Sequence, residues 1–139
     1  MMRKIILFLM LFLVNYMIMA QKKELTADEK QVIIYKGTER PFTGKYYDFK
    51  AKGTYVCKQC GSPLYRSEDK FDSRCGWPSF DDEIPGAVKR YRMQMGDGRR
   101  CLRSLWSALG TRVHGRGLTP KNTRHCVNSI SMEFILRKN

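Results

Sequence analysis

Acidic residues are scarce in this chain. Thirteen Asp and Glu stand against twenty-six Lys and Arg, so the net charge is +13. Histidine occurs only at His114 and His125. Either can serve as an acid or a base, although a solvated surface position is the commoner state. Five cysteines are too few for a disulfide-dense scaffold, and an odd number leaves one over. After residue 20 no apolar run approaches the length of a membrane span. There is no internal repeat and no low-complexity tract. What remains is ordinary for a folded chain: 42% hydrophobic and 28% charged residues in 139, enough for one domain and incompatible with a wholly disordered protein.

The one long apolar stretch opens the chain. Arg3 and Lys4 precede sixteen residues ending at Ala20, the pattern of a signal peptide. The run is short for a membrane anchor and contains Asn15. Residues 1–20 are therefore expected to be removed, leaving an exported, periplasmic or extracellular protein that is not held at the membrane. No cysteine lies near the junction to carry a lipid.

Residues 21–31 are polar, and Thr26 with Glu29 three positions on suits a capping box opening a short helix. KGTERPFTG (residues 36–44) is rich in turn formers. GTYVCKQCG (53–61) reads as a strand entering a cysteine knuckle, and FDSRCGWPSF (71–80) as a loop. In residues 126–136 the apolar side chains Ile130, Met132, Phe134 and Leu136 alternate, which predicts a closing strand. No long helical period follows residue 35, so the expected fold is mainly β, with short strands and Gly/Pro turns.

Two cysteine pairs could carry chemistry. Cys57 and Cys60 form C-x-x-C, a spacing that lets two thiolates reach one zinc ion. From spacing alone a zinc site and a local disulfide or idle thiols are equally supported. Cys75 lies between Arg74 and Gly76, and Cys126 follows Arg124 and His125. Cationic neighbours favour the nucleophilic thiolate, and a nearby second thiol can resolve an oxidised first one. A plain structural disulfide is the commoner state of such a pair. Trp77, beside Pro78 and Phe80, is by the same measure more often core than pocket.

KGTERPFTG, GTYVCKQCGSPL, KFDSRCGWPSF and TRHCVNS, in this order and at these distances, resemble the methionine-R-sulfoxide reductase family (the B type), over residues 24–90 and 114–136. The resemblance implies two antiparallel sheets in a compact, barrel-like fold behind short N-terminal helices, with the reductase domain spanning residues 32–139. It implies thiol-dependent reduction of oxidised methionine in proteins. Cys126 would be the nucleophile, ending as a sulfenic acid, and Cys75 would resolve it as a disulfide that a thioredoxin-like protein reduces. Trp77 and Phe80 would receive the substrate, its apolar methyl end against the indole. Arg124 would support the thiolate, and Asn128 would hydrogen-bond within the site. Cys57 and Cys60 match half of a four-cysteine zinc site. A monomer that binds no nucleic acid is expected. The competing function classes are a basic nucleic-acid-binding module, against which export argues, and a non-catalytic secreted domain with a permanent Cys75–Cys126 disulfide.

Residues 89–113 depart from the family pattern, which has a second C-x-x-C and then a segment like HLGHVF. Here Leu102 and Leu105 stand at the two cysteine positions, with Cys101 out of place. Ala108 and Thr111 stand at the two histidine positions. From Lys89 to Arg116 there are eight basic residues and one acidic, Asp97. Arg100–Val113, back-translated and read from the second base, can encode VVCAACGAHLGHV, and Tyr91–Gly96 read one base earlier can encode PDADG. Two frames are needed, hence more than one slip. On this reading the segment is frame-shifted, zinc has two good ligands where four are needed, and the nucleophile lacks its histidine partners. Weak or no zinc binding and much reduced activity are the expectations.

Overall fold

A computed structural model describes residues 23–88, 90–94, 100–104, 110–114 and 117–137. The predicted signal peptide and parts of the 89–113 segment, including Leu105 and Ala108, lie outside the described residues. So does Arg116.

The capping box forms as read. The Thr26 hydroxyl accepts from the Glu29 amide and the Glu29 carboxylate accepts from the Thr26 amide, opening helix α1, Ala27–Ile33. Val32 and Ile33 are its buried residues. Among the described residues α1 is the only α-helix. Lys36, with φ of 61°, turns the chain away soon after its end. No helix of the described residues is long and apolar enough to cross a membrane.

The rest is β-structure in two antiparallel sheets. The smaller has order β2-β1-β9, built from β1 (Gly53–Cys57), β2 (Pro63–Arg66) and β9 (Met132–Leu136). The larger has order β3-β4-β8-β7-β6-β5, from β3 (Lys70–Phe71), β4 (Ser79–Phe80), β5 (Arg90–Gln94), β6 (Arg100–Ser104), β7 (Gly110–His114) and β8 (Thr123–Val127). The ladder of each described sheet ends in an edge strand, so the arrangement is mainly β without a closed barrel.

The segment read as one closing strand is divided. β8 ends at Val127, a 3-10 turn covers Ser129–Ser131, and β9 continues in the other sheet. At the break the Ser129 hydroxyl turns inward and accepts from the buried Tyr46 amide. Of the alternating residues, Met132 is buried and Phe134 packs on the core, whereas Leu136 is exposed. Cys126 therefore stands just before the crossing between the sheets.

The core between the sheets is aromatic. Tyr46, Tyr55, Leu64, Tyr65, Phe80, Val127 and Met132 form one buried cluster with Cys57. Phe80 stacks on Tyr65 with ring centroids 4.4 Å apart, and meets Tyr55 edge-on at 5.0 Å. Such pairs contribute ~0.5–1.5 kcal/mol each beyond the area they bury. Because Phe80 anchors β4 from the core side, its neighbour Ser79 points the other way, as alternation along a strand requires. β4 pairs with β8 in the register Ser79↔Cys126 and Phe80↔His125. Core packing thus brings the Cys75–Phe80 loop alongside Cys126.

Candidate active site

Along β8 the side chains of Thr123, His125 and Val127 are buried, while those of Arg124 and Cys126 are partly exposed. The alternation separates the two groups onto opposite faces. His125 is 4% exposed, 3.4 Å from the Tyr65 hydroxyl and 3.5 Å from Glu83. The solvated histidine expected there is instead a core residue, on the far face from the Cys126 thiol. Only the register of His114 is described, opposite Thr123.

The face bearing Cys126 opens into a cleft of about 200 Å³, lined by Thr38, Cys75, Trp77, Gly110, Arg124, Cys126 and Asn128. Cys75 reaches it from a loop shaped by Arg74, whose left-handed φ of 53° is held by its amide donating to Asp72. The Cys75 and Cys126 sulfurs are 3.3 Å apart, both as free thiols. The Ser73 hydroxyl donates to the Cys75 sulfur at 3.0 Å, and the Ser79 hydroxyl lies 3.3 Å from it. Trp77 is fixed by its indole N–H, which donates to the Glu39 carbonyl at 3.1 Å. Asn128 is buried and accepts the Glu39 amide on Oδ1 at 3.1 Å.

Electrostatically the thiols act as a unit sharing one proton. Cys126 donates its hydrogen bond to Cys75, and with help from Ser73 and Ser79 this lowers the Cys75 thiol to about 4, against the opposing effect of burial. The same hydrogen bond, together with burial and the adjoining charge, pushes Cys126 far up, while the Arg124 guanidinium pulls it down. The pair therefore loses its first proton easily and its second with great difficulty. One negative charge is available at neutral pH, beside an arginine and an indole.

The backbone of β7 closes one side. Gly110 adopts φ of 151°, and a Cβ there would lie 1.7 Å from the Cys126 carbonyl oxygen, so no larger residue fits this approach. The register that follows sets Thr111 directly across from Cys126.

Of the residues singled out from the sequence, Cys126, Cys75, Arg124, Asn128 and Trp77 converge on this cleft. Phe80 does not. It is fully buried against Tyr55 and Tyr65, because strand alternation turns it into the core. The sequence reading overlooked Ser73, Ser79 and Thr38. Their only signal was position, two before and four after Cys75 for the serines and inside the turn-rich 36–44 segment for Thr38.

Residues 25–136 match the SelR domain model. Peptide methionine sulfoxide reductase B5 of Oryza sativa subsp. japonica is 44% identical over 114 residues, covering 79% of this chain and 82% of the rice protein. The chain belongs to the SelR family. Peptide methionine sulfoxide reductase MsrB of Hahella chejuensis is 42% identical over 118 residues, 81% of this chain and 84% of that protein. The chloroplastic B2 protein of Arabidopsis thaliana is 45% identical over 114 residues, of whose length the chain spans 55%.

SelR-family resemblance implies a zinc ion, and the Cys57–Cys60 knuckle at the β1–β2 hairpin supplies two donors. The Gly61 amide donates to the Cys57 carbonyl and the Cys57 amide to the Ser62 carbonyl, both at 2.8 Å, folding the knuckle tightly. Burial pushes the Cys57 thiol up, and Cys60 is exposed. Among the described residues no three His, Cys, Asp or Glu side chains converge as a ligand group. Two thiols do not complete a structural tetrahedral site, so the described donor set does not by itself fit a zinc ion.

Proposed function

We propose that this protein reduces methionine R-sulfoxide in oxidised proteins, using Cys126 and Cys75 in turn. The observation that carries this reading is the 3.3 Å separation of the two sulfurs inside a cleft walled by Trp77. A thiolate on Cys126 attacks the sulfoxide sulfur while the oxygen takes up a proton. The hydroxyl then passes from the methionine sulfur to the Cys126 sulfur as the transient bond between the two sulfurs breaks, which releases methionine and leaves Cys126 as a sulfenic acid. Cys75 attacks that sulfur, water leaves with a second proton, and a disulfide forms. Its S–S distance of ~2.05 Å requires the sulfurs to close by little more than 1 Å. The net change is sulfoxide plus two thiols to thioether, disulfide and water. A thioredoxin-like dithiol then restores both thiols by exchange. The low first proton affinity of the pair supplies the thiolate, and transfer of the shared proton to Cys75 places it on Cys126. Trp77 offers the methyl group an apolar wall. Arg124 stabilises negative charge at position 126.

The chain works as an exported monomer with reduced turnover. Thr111, opposite Cys126, cannot move a proton as histidine does, and acid–base assistance of that kind typically contributes ~10²–10⁴ in rate. Zinc stoichiometry in the purified protein should fall well below one equivalent, and one equivalent by elemental analysis would show that other residues complete the site. Reading the gene's codons for residues 100–113 tests the frame shift directly.

The deciding experiment offers the chain a peptide containing methionine R-sulfoxide with a thioredoxin system. Slow formation of methionine is expected, abolished in Cys126→Ala. Substrate alone should consume two thiols and join Cys75 to Cys126. If the bond between them resists thioredoxin and no methionine forms, the protein is a non-catalytic domain. Turnover at the rate of histidine-containing relatives would refute the impairment.

A further inference from the structure

Two buried hydroxyls meet the thiols, and they meet each other. Ser79 is 1% exposed and Ser73 9%. Ser79 stands directly opposite Cys126 in the β4–β8 register. Its Oγ lies 3.3 Å from the Cys75 sulfur and 3.9 Å from the Cys126 sulfur, with the Trp77 carbonyl as a further acceptor at 3.2 Å. The Ser73 hydroxyl bonds the Cys75 sulfur at 3.0 Å. The two hydroxyl oxygens are 2.6 Å apart, so one donates to the other. A hydroxyl carries a single proton. Of the two protons in the pair, the short bond between the oxygens takes one. The other is left for a sulfur or for the Trp77 carbonyl. With Ser79 donating to Ser73, that proton passes from Ser73 to Cys75. With Ser73 donating to Ser79, it is Ser79 that donates, and of the two hydroxyls Ser79 is the one bonded to the Cys126 sulfur.

We propose that Ser73 and Ser79 form a reversible hydrogen-bond switch that directs the negative charge of the thiol pair to Cys75 or to Cys126, according to the step in progress. The proposal rests on the sulfoxide-reductase reading, whose two thiol steps need the charge on opposite sulfurs. Attack on the sulfoxide needs it on Cys126, and closure of the disulfide needs it on Cys75. In the first setting Ser79 donates to Ser73 and Ser73 to Cys75. In the second both hydroxyls have turned about their Cβ–Oγ bonds, so that Ser73 donates to Ser79 and Ser79 to Cys126. The thiol proton crosses from Cys126 to Cys75 over the 3.3 Å between the sulfurs. No O–H bond breaks, and the pair keeps one proton and one negative charge. The Ser79–Cys126 contact is the longest of the set at 3.9 Å, and a charged acceptor draws its donor closer. In closure, Cys75 gives its proton to the departing hydroxyl of the sulfenic acid, and Ser73 donates to the sulfur left charged. A donor fixed at either sulfur would favour one step and oppose the other.

The test labels the thiols of the full chain without substrate. Parent, Ser73→Ala and Ser79→Ala meet substoichiometric iodoacetamide at neutral pH, and mass spectrometry gives the initial ratio of label at Cys126 to label at Cys75. Ser79→Ala takes the donor from Cys126 and leaves Ser73 wholly to Cys75, so the ratio should fall. Ser73→Ala takes a donor from Cys75 and leaves Ser79 free to turn to Cys126, so the ratio should rise. One net hydrogen bond sets roughly a 2- to 10-fold factor on the division of charge. The better-stabilised thiolate is the weaker nucleophile, which cancels about half of that factor on a logarithmic scale and leaves a shift of about 1.5- to 3-fold each way. Ser79→Thr, which keeps the hydroxyl, should restore the parent ratio. In a single turnover with a methionine R-sulfoxide peptide, Ser79→Ala should slow the formation of methionine and Ser73→Ala the disulfide closure that follows. A ratio that rises in both alanine variants would mean that both hydroxyls merely hold Cys75, and it overturns the switch, as does a ratio that moves in neither. Should Ser79→Ala not fold, Ser73→Ala carries the test, and a ratio that fails to rise overturns the proposal. Ratios that move apart in a chain that neither forms methionine nor loses thiols to the sulfoxide sustain the switch and remove the reductase reading alone; an active parent whose variants move together removes the switch alone.

Discussion

Replacing Cys126 by alanine should change the pH dependence of alkylation at Cys75 more than its absolute rate. In the parent, the hydrogen bond from the Cys126 thiol is the largest reason that Cys75 falls from 9.0 to about 4. The sign follows from a lowered value: the thiolate is present above about 4 and is lost only as pH falls through it. At pH 6 the pair is therefore almost entirely the monoanion, whereas a thiol at 9.0 would be ionised only to about one part in a thousand. A less basic thiolate is also a weaker nucleophile. With a Brønsted coefficient of ~0.4–0.5, a drop of five units forfeits roughly 10²–10^2.5 of intrinsic reactivity, which largely cancels the gain in ionised fraction at this pH. Rates at pH 6 are thus a poor discriminator, and the shape of the profile is the observable. The assay alkylates parent and Cys126→Ala with iodoacetamide from pH 4 to 9 and quantifies the Cys75 peptide by mass spectrometry, which separates it from Cys57, Cys60 and Cys101. The parent should be flat from about pH 5 upward, with its midpoint near 4. In Cys126→Ala the midpoint should move up towards the ordinary thiol range, with burial raising it and the Ser73 and Ser79 hydroxyls lowering it. Superimposable profiles, or a parent midpoint in the ordinary thiol range, would refute the shared-proton account.

Two further predictions separate core from cleft. Phe80→Ala should cost about 3–5 kcal/mol in urea unfolding, the usual range for deleting a buried phenyl ring, with KM unchanged wherever the protein remains folded; a selective rise in KM would return Phe80 to the substrate site. Thr111→His, at the register position opposite Cys126, should raise turnover with the sulfoxide peptide by about tenfold or more, and an unchanged rate would show that Thr111 is not what limits this chain.

The cysteine-bearing strings were legible in the sequence because their spacing is local. A strand of five residues running into Cys57-x-x-Cys60, and a Thr26–Glu29 capping box, are decided by neighbours within a turn or two, and both elements form as read. The resemblance set Phe80 beside Trp77, but Phe80 lies in β4 with its ring in the core, whereas Trp77, in the loop before that strand, lines the cleft. The apolar alternation after Cys126 suggested one strand, but a 3-10 turn at Ser129–Ser131, its Ser129 hydroxyl bonded to the Tyr46 amide, takes the chain from one sheet into the other. Ser73, Ser79 and Thr38 carry no chemical signature of their own; they matter through the atoms they meet.

The amino-acid order alone determined which thiols, aromatic and cation could take part, and it exposed the anomaly of residues 89–113, because composition and spacing are properties of the chain itself. Tertiary structure decided that the sulfurs at 75 and 126 lie 3.3 Å apart, that they share a proton, and that the Ser79 hydroxyl reaches both. Those facts depend on β4 pairing with β8 across 42 residues of intervening sequence, and on an aromatic core that holds the pairing in register. Contacts so remote along the chain are set by which surfaces are buried together, and no local pattern encodes the distance between them.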